Sequence, residues 1–187
     1  MRKSRILFAS AMVMTCLGTA YLQSCSKIAS LVQYDLSMQT ASTEIVLPRS
    51  SDTVGSASGS QVVYYNIDSF IKANTANVLG INNITSAKLT SCKLTLLNPT
   101  TANNFANFRS ASGSFYSNTN TTPYSLSLNN PDTYSTILDM PVDPNVELKG
   151  YLNGTNFTYT VGGSLRRATT DSIRCKIDIT YSVHVQG

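Results

Sequence analysis

The last strand-forming segment of the chain constrains its fold more than any other feature. Apolar residues occupy every second position from 173 to 185, and charged or polar side chains lie between them. A period of two residues indicates a strand with one face in a core and the other in water. Such a strand cannot bury its apolar face alone, so the chain must supply a second sheet to cover it. The apolar positions are Ile173, Cys175, Ile177, Ile179, Tyr181, Val183 and Val185.

Shorter segments with the same alternation precede it and are separated by turn signals at Pro48, Asn98-Pro99 and Gly162-Gly163. Many short strands joined by such turns predict an all-β fold, an antiparallel β-sandwich. The predicted strands cover residues 32–39, 43–47, 61–65, 85–97, 110–116, 124–128, 136–140 and 157–161. In the segment 85–97, the residues expected to share one face are Thr90, Cys92, Leu94 and Leu96.

Two or three short helical turns interrupt the strands. Residues 68–73 suit a short helix, and Phe105 and Phe108 are spaced for a single turn. The best local signal begins at Asp143, which is predicted to be the N-cap of a helix that ends before Gly154. Residues 31–187 are expected to form one domain, and 49–60 a flexible Ser/Gly-rich loop.

The N-terminus is predicted to be a signal peptide, residues 1–24. Basic residues begin it, residues 6–21 are apolar, and Leu22-Gln23-Ser24-Cys25 follows. The apolar run is short for a membrane-spanning helix, which is the alternative interpretation. The four residues ending at Cys25 resemble a bacterial lipobox. That resemblance implies cleavage before Cys25, acyl chains on its sulfur and new amine, a tether over 25–30, and a membrane as partner.

Charge argues against a nucleic-acid partner. The chain has 14 Lys and Arg against 10 Asp and Glu, but three of the basic residues lie in the predicted signal peptide. The mature chain is therefore nearly neutral, whereas phosphate binding needs a dense cationic patch. The doublet Arg166-Arg167 is interpreted as solvating a loop.

Two cysteines remain for the folded domain, because Cys16 lies in the signal peptide and Cys25 carries lipid. Cys92 and Cys175 both fall on apolar faces. In an oxidising compartment they could form one disulfide, or they could be two buried thiols that pack as small apolar residues.

The sequence offers little for catalysis, and we expect a protein that is not an enzyme and holds no cofactor or metal. His184 is the only histidine and falls on the water-facing side of the last strand. No zinc-ligand spacing or nucleotide-binding glycine loop occurs. Asp143, Asn145 and Glu147 faintly resemble a calcium loop, but the glycine that such a loop requires is missing.

The order of elements over residues 61–185 resembles small Bacteroidota lipoproteins with an immunoglobulin-like or late-embryogenesis-like β-sandwich. The similarity is carried by residues 83–89, the turn at 105–108, residues 146–152 and the last strand. Asp52-Thr53-Val54 and Asp171-Ser172-Ile173 also resemble the O-glycosylation motif of Bacteroidota envelope proteins. That resemblance implies sites at Thr53 and Ser172, where the alternative is an ordinary turn or cap residue.

We therefore expect a lipid-anchored envelope protein with a structural or accessory role. Bacteroidota surface lipoproteins usually carry acidic residues soon after the lipidated cysteine, and the tether after Cys25 has none. The resemblance therefore implies the periplasmic face of the outer membrane rather than the cell surface. The rival hypothesis is a surface protein that binds glycan or acts as an adhesin. Its sugar platforms would come from tyrosines at strand ends, namely Tyr64, Tyr65, Tyr116 and Tyr124.

Overall fold

The computed structural model describes residues 32–40 and 42–187, which form two antiparallel sheets packed face to face. The predicted all-β sandwich with short helices is confirmed. The strands are β1 (Gln33–Gln39), β2 (Thr43–Leu47), β3 (Ser56–Tyr64), β4 (Ile84–Leu96), β5 (Ser110–Ser117), β6 (Tyr124–Asn129), β7 (Ile137–Asp139), β8 (Asn156–Ser164) and β9 (Ile173–Gln186). The α-helices are α1 (Ile67–Asn74) and α2 (Lys149–Leu152), and short 3-10 turns span Ile81–Asn83 and Phe105–Asn107. None of the helices described is long and apolar enough to cross a membrane.

Sheet A is built around β9. On one side of β9 lie β1 and β2, end to end, with Gln39 opposite Thr180 and Thr43 opposite Ile177. On the other side β4 pairs with β9 along most of its length, and β7 lies outside β4. The seven alternating apolar residues of β9 are all buried, so the predicted core face is confirmed.

One position in β4 differs from the predicted alternation. Leu89 and Cys92 are both buried, whereas Thr90, which was expected on their face, is exposed. The pairing with β9 shifts register between Leu89 and Ser91. An extra residue in one strand of a pair reverses the faces beyond it, and this bulge therefore moves Thr90 out of the core.

Sheet B has the order β3-β8-β5-β6. It corrects the prediction for residues 49–60, because the sequence from Ser56 onward already forms β3. The glycine pair predicted to be a turn lies inside β8. Gly163 faces the Ser110 carbonyl so closely that a Cβ there would collide with it. Glycine in this strand marks close backbone approach rather than a turn.

Aromatic rings join the two sheets at the centre of the core. The Phe115 ring on β5 lies 6.1 Å from the Tyr159 ring on β8 and 5.9 Å from the Tyr181 ring on β9, measured between centroids. The contact with Tyr181 is edge-to-face, an arrangement that contributes beyond simple area burial.

The helix predicted to begin at Asp143 is only one turn long and starts later. Leu148 occupies its N-cap position, and the Asp143 carboxylate instead accepts a hydrogen bond from the Asn145 N–H in a turn (2.9 Å). Glu147 supplies the local cap: its Oε1 accepts from the N–H groups of Lys149 (2.8 Å) and Ala87 (2.7 Å). The bond to Ala87 gives a partner to a backbone N–H of β4 next to the first register shift of the β4–β9 pair. The other carboxylate oxygen of Glu147 accepts a hydrogen bond from the neighbouring Ser86 hydroxyl. Partial desolvation, the largest single influence, raises the pKa of Glu147, but the hydrogen bonds that it accepts together lower it below its usual range.

The two cysteines of the domain are free, which corrects the disulfide alternative. Cys92 lies opposite Ile179, and Cys175 lies opposite Leu96, so both belong to sheet A rather than to opposite sheets. Four ladder positions separate them, a distance of about 13 Å, whereas a disulfide needs Cα atoms within about 7 Å. Both thiols are buried, and desolvation raises the pKa of each to about 12.

Candidate functional site

The two residues predicted to be glycosylated differ in how exposed they are, and the residue predicted to be lipidated is not described. Cys25 lies outside the described residues, so lipidation there stays a prediction. Thr53 is exposed in the loop before β3, where the Asp52 carboxylate accepts from the Val54 N–H (2.8 Å). Ser172 is half-buried, and its carbonyl accepts from the Asn98 side chain (2.9 Å). Of the two candidate O-glycosylation sites, Thr53 is the more accessible.

The acidic residues and the histidine considered for catalysis do not form one site, and each contacts a different partner. Asp139 lies 3.9 Å from the Lys93 ammonium, and Glu147 is occupied by hydrogen bonds at the start of α2. His184 lies 2.7 Å from the Asp35 carboxylate across the β1–β9 pair. Over residues 32–40 and 42–187, no group of three His, Cys, Asp or Glu side chains is placed to hold a metal ion.

Most of the tyrosines that were expected to bind sugar are partly buried in the fold. Tyr65, Tyr116 and Tyr124 are half-buried, and the Tyr124 ring packs 5.6 Å from that of Phe115. Tyr64 is exposed at the end of β3. A more informative tyrosine, which sequence reasoning missed, is Tyr134 in the loop before β7, where its side chain is 61% exposed.

Tyr134 lines an open cleft of about 470 Å³ formed by three loops at one end of the sandwich. The first loop joins β4 to β5, the second joins β6 to β7, and the third joins β8 to β9. The residues facing the cleft are Thr101, Ala102, Asn104, Ala106, Asn107, Asp132, Tyr134, Arg167, Ala168 and Thr170.

Buried asparagines fix the loops that form the cleft. The Asn107 Nδ2 donates to the carbonyls of Ala102 (2.9 Å) and Ala168 (3.0 Å), and its Oδ1 accepts from the Asn104 N–H (3.1 Å). Asn103 makes a paired contact with Thr170, donating from Nδ2 to its hydroxyl (2.7 Å) and accepting from its N–H (2.9 Å). These contacts join the first loop to the third, so the cleft is preorganised.

Arg166 and Arg167 join the third loop to both of the others, which corrects their interpretation as loop-solvating residues. The Arg166 guanidinium donates to the carbonyls of Ala106 (3.1 Å) and Asn130 (2.8 Å). The Arg167 guanidinium donates to Ala106 (3.1 Å) and to the Asp132 carboxylate (2.6 Å). The hydrogen bond from Arg167 holds the pKa of Asp132 below its usual range.

The cleft combines polar groups that remain accessible with an exposed ring. The Arg167 and Asp132 side chains are 52% and 48% exposed despite their contact. A guanidinium supplies only donors, and a carboxylate only acceptors, whereas a sugar hydroxyl can be both. The arrangement can therefore bind adjacent hydroxyl groups while Tyr134 covers an apolar face of the same ligand.

Neither a protein-family model nor a curated protein matches the sequence. Among solved structures, the chain is similar to that of Desmodium yellow mottle tymovirus, with 14% identity and a TM-score of 0.30 over 82% of this chain and 89% of that one. It is also similar to the decameric BFDV capsid protein, with 9% identity and a TM-score of 0.38 over 83% of this chain and 100% of that one. Both TM-scores are low, and these similarities add nothing to what the strand pairing already shows.

Proposed function

We propose that this protein is a lipid-anchored, non-catalytic envelope protein that binds carbohydrate in the cleft beside Tyr134. The observation that carries the proposal is the accessible Arg167–Asp132 pair next to an exposed tyrosine ring, on loops held by buried asparagines. It favours the glycan-binding hypothesis over a purely structural role.

Charge balance favours a sugar with little or no charge. Asp132 lies 2.6 Å from the Arg167 guanidinium and 3.6 Å from that of Arg166, so it offsets one of the two positive charges of the doublet. Of the two arginines only Arg167 lines the cleft, and it is the one nearer to Asp132. Both arginines also donate to the Ala106 carbonyl, which leaves fewer donors for an anion. A phosphate would have to compete with Asp132 for the same guanidinium groups.

The same residues support binding rather than hydrolysis. Glycoside hydrolysis usually needs two carboxyl groups that flank one bond, one of them protonated. Asp132 is the only carboxylate among the described residues that line the cleft, and its lowered pKa keeps it ionised at neutral pH. The buried thiols have pKa values of about 12 and supply no nucleophile there.

Tyr134→Ala should weaken glycan binding by roughly tenfold or more, because the ring supplies the apolar contact of the cleft. A glycan array would identify the ligand, and calorimetry would then compare the dissociation constants of wild type and variant. Tyr64→Ala is the matched control, since Tyr64 is equally exposed (65%) but lies on β3 and does not line the cleft.

The control should bind like wild type, and both variants should melt like it. Equal loss in the two variants would show that the cleft is not the site. If wild type bound no glycan, the carbohydrate proposal would be wrong.

Cys25→Ser should prevent lipidation and leave the precursor uncleaved, because acyl transfer requires the thiol that the serine lacks. Metabolic labelling with a palmitate analogue and detergent partitioning would measure this. Maturation and partitioning like wild type would contradict the anchor. Protease treatment of intact cells would then test the periplasmic orientation, which predicts that the wild-type domain is protected.

A further inference from the structure

The strand β3 forms one outer edge of sheet B, and within residues 32–40 and 42–187 no strand lies beside one row of its backbone groups. Just beyond the ends of β3, the Tyr65 N–H donates to the Thr155 carbonyl and the Leu165 N–H donates to the Gly55 carbonyl. Since ladder bonding alternates along an antiparallel strand, the odd-numbered residues of β3 bond to β8. The even-numbered residues, from Ser56 to Tyr64, therefore direct their N–H and C=O groups outward.

Little in the described structure covers this edge. β2 approaches β3 on the core-facing side of Gly59, where the Val46 carbonyl lies, and not along its edge. One outward carbonyl, that of Val62, accepts from the Gln61 side chain at 3.2 Å. The outward side chains are exposed, with Val62 at 59%.

The other edges carry features that oppose strand pairing, and β3 does not. Proteins protect sheet edges with charges, prolines or very short strands. The edge strands β1 and β2 contain Asp35 and Glu44, and β7 is three residues long and ends at Asp139. Prolines flank β6 at positions 123 and 131. β3 is nine residues long with neither charge nor proline.

We propose that β3 pairs with β3 of a second copy of this protein, which joins the two B sheets into one eight-stranded sheet. A two-fold axis beside an edge strand places the strand antiparallel to its own copy, so a single surface serves both partners. A charge close to the axis would lie beside its own copy and repel it, and β3 carries no charge. The neighbouring strands also present uncharged side chains on that face, including Thr158 and Thr160 on β8 and Ser112 and Ser114 on β5.

Val62→Lys tests the pairing with little risk to folding, because the side chain is already exposed and lies at the edge. Sedimentation equilibrium of the full chain in density-matched detergent should show reversible dimers for wild type. The variant should dimerise roughly tenfold or more weakly, because each copy brings a lysine to the shared edge. Ser112→Lys, which adds the same charge to the same face on the central strand β5, should dimerise like wild type.

Amide hydrogen exchange locates the contact independently. The amides of Ser58, Ser60 and Val62 should exchange fast in Val62→Lys and slowly in the wild-type dimer, because pairing occupies them. A wild type that stays monomeric at every concentration would overturn the proposal. So would a dimer that leaves these amides fast, or one that Val62→Lys and Ser112→Lys weaken equally.

Discussion

Ile177→Asp should prevent the domain from folding. Ile177 is 3% exposed on β9, where it lies opposite Thr43 of β2 and Leu94 of β4. An aspartate there would place a carboxylate in the core among apolar side chains. Burying an unpaired charge costs several kcal/mol, a large part of the roughly 5 to 15 kcal/mol that stabilises a typical domain. Circular dichroism and denaturant unfolding would measure the loss.

Substitutions on the other face of β9 are the controls. Ser182→Asp adds the same charge to the same strand at an exposed position, and should change the free energy of unfolding by less than about 1 kcal/mol. His184→Ala removes the surface contact with Asp35, and should also cost less than about 1 kcal/mol. Cooperative folding of Ile177→Asp together with unfolding of Ser182→Asp would mean that the two faces are reversed.

Periodicity predicted the sheets because it reports directly on burial. The alternation of β9 identified its core face, and the strands of the sandwich follow from the same pattern. The bulge near Thr90 was missed because one alternation was extended across it, although the buried apolar residues change there from odd positions (Ala87, Leu89) to even ones (Cys92, Leu94). Periodicity also could not place Ser56–Ser60 in β3, since a polar edge strand resembles a loop in sequence.

Predictions from local sequence were wrong where contacts between residues far apart in the chain determine the structure. Asp143 has the composition of a helix cap, but Glu147 bonds to Ala87 on β4 and fixes the start of α2 instead. The cysteines share an apolar face, yet only the register of β4 with β9 shows that they lie too far apart to bond.

The cleft was missed for a related reason. Its three loops are far apart in the sequence, and each of them taken alone has the composition of an ordinary polar loop. The doublet Arg166-Arg167 and the pair Asn103-Asn104 were the available signals. Neither signal indicates which residues these side chains contact. Packing of the two sheets brings their partners to them, namely Asp132, Ala106 and Thr170.

Asn107→Ala should give the second large loss of stability, and should also disable the cleft. The Asn107 side chain is 3% exposed and bonds to three backbone groups: the carbonyls of Ala102 and Ala168 and the N–H of Asn104. Alanine would leave the buried Asn104 N–H without its partner, and the two carbonyls without theirs at a site that is only partly open to water. A buried polar group left unpaired costs about 1 to 3 kcal/mol, and the two carbonyls cost less because water can reach them in part, so we expect a total loss of roughly 2 to 5 kcal/mol.

Asn118→Ala is the matched control for this prediction. Asn118 also bonds to two backbone groups, the N–H groups of Thr155 (3.0 Å) and Asn156 (3.2 Å), but its side chain is exposed and water can replace it. We expect a loss of about 1 kcal/mol or less and unchanged glycan binding. Denaturant unfolding measures the stability of each variant, and calorimetry at a temperature where Asn107→Ala is still folded measures its binding. If Asn107→Ala were as stable as Asn118→Ala and bound glycan like wild type, Asn107 would not organise the cleft. Among the described residues, Asn107 is the one whose side chain bonds to both Ala102 and Ala168, so full binding without it would show that other contacts hold these two loops together.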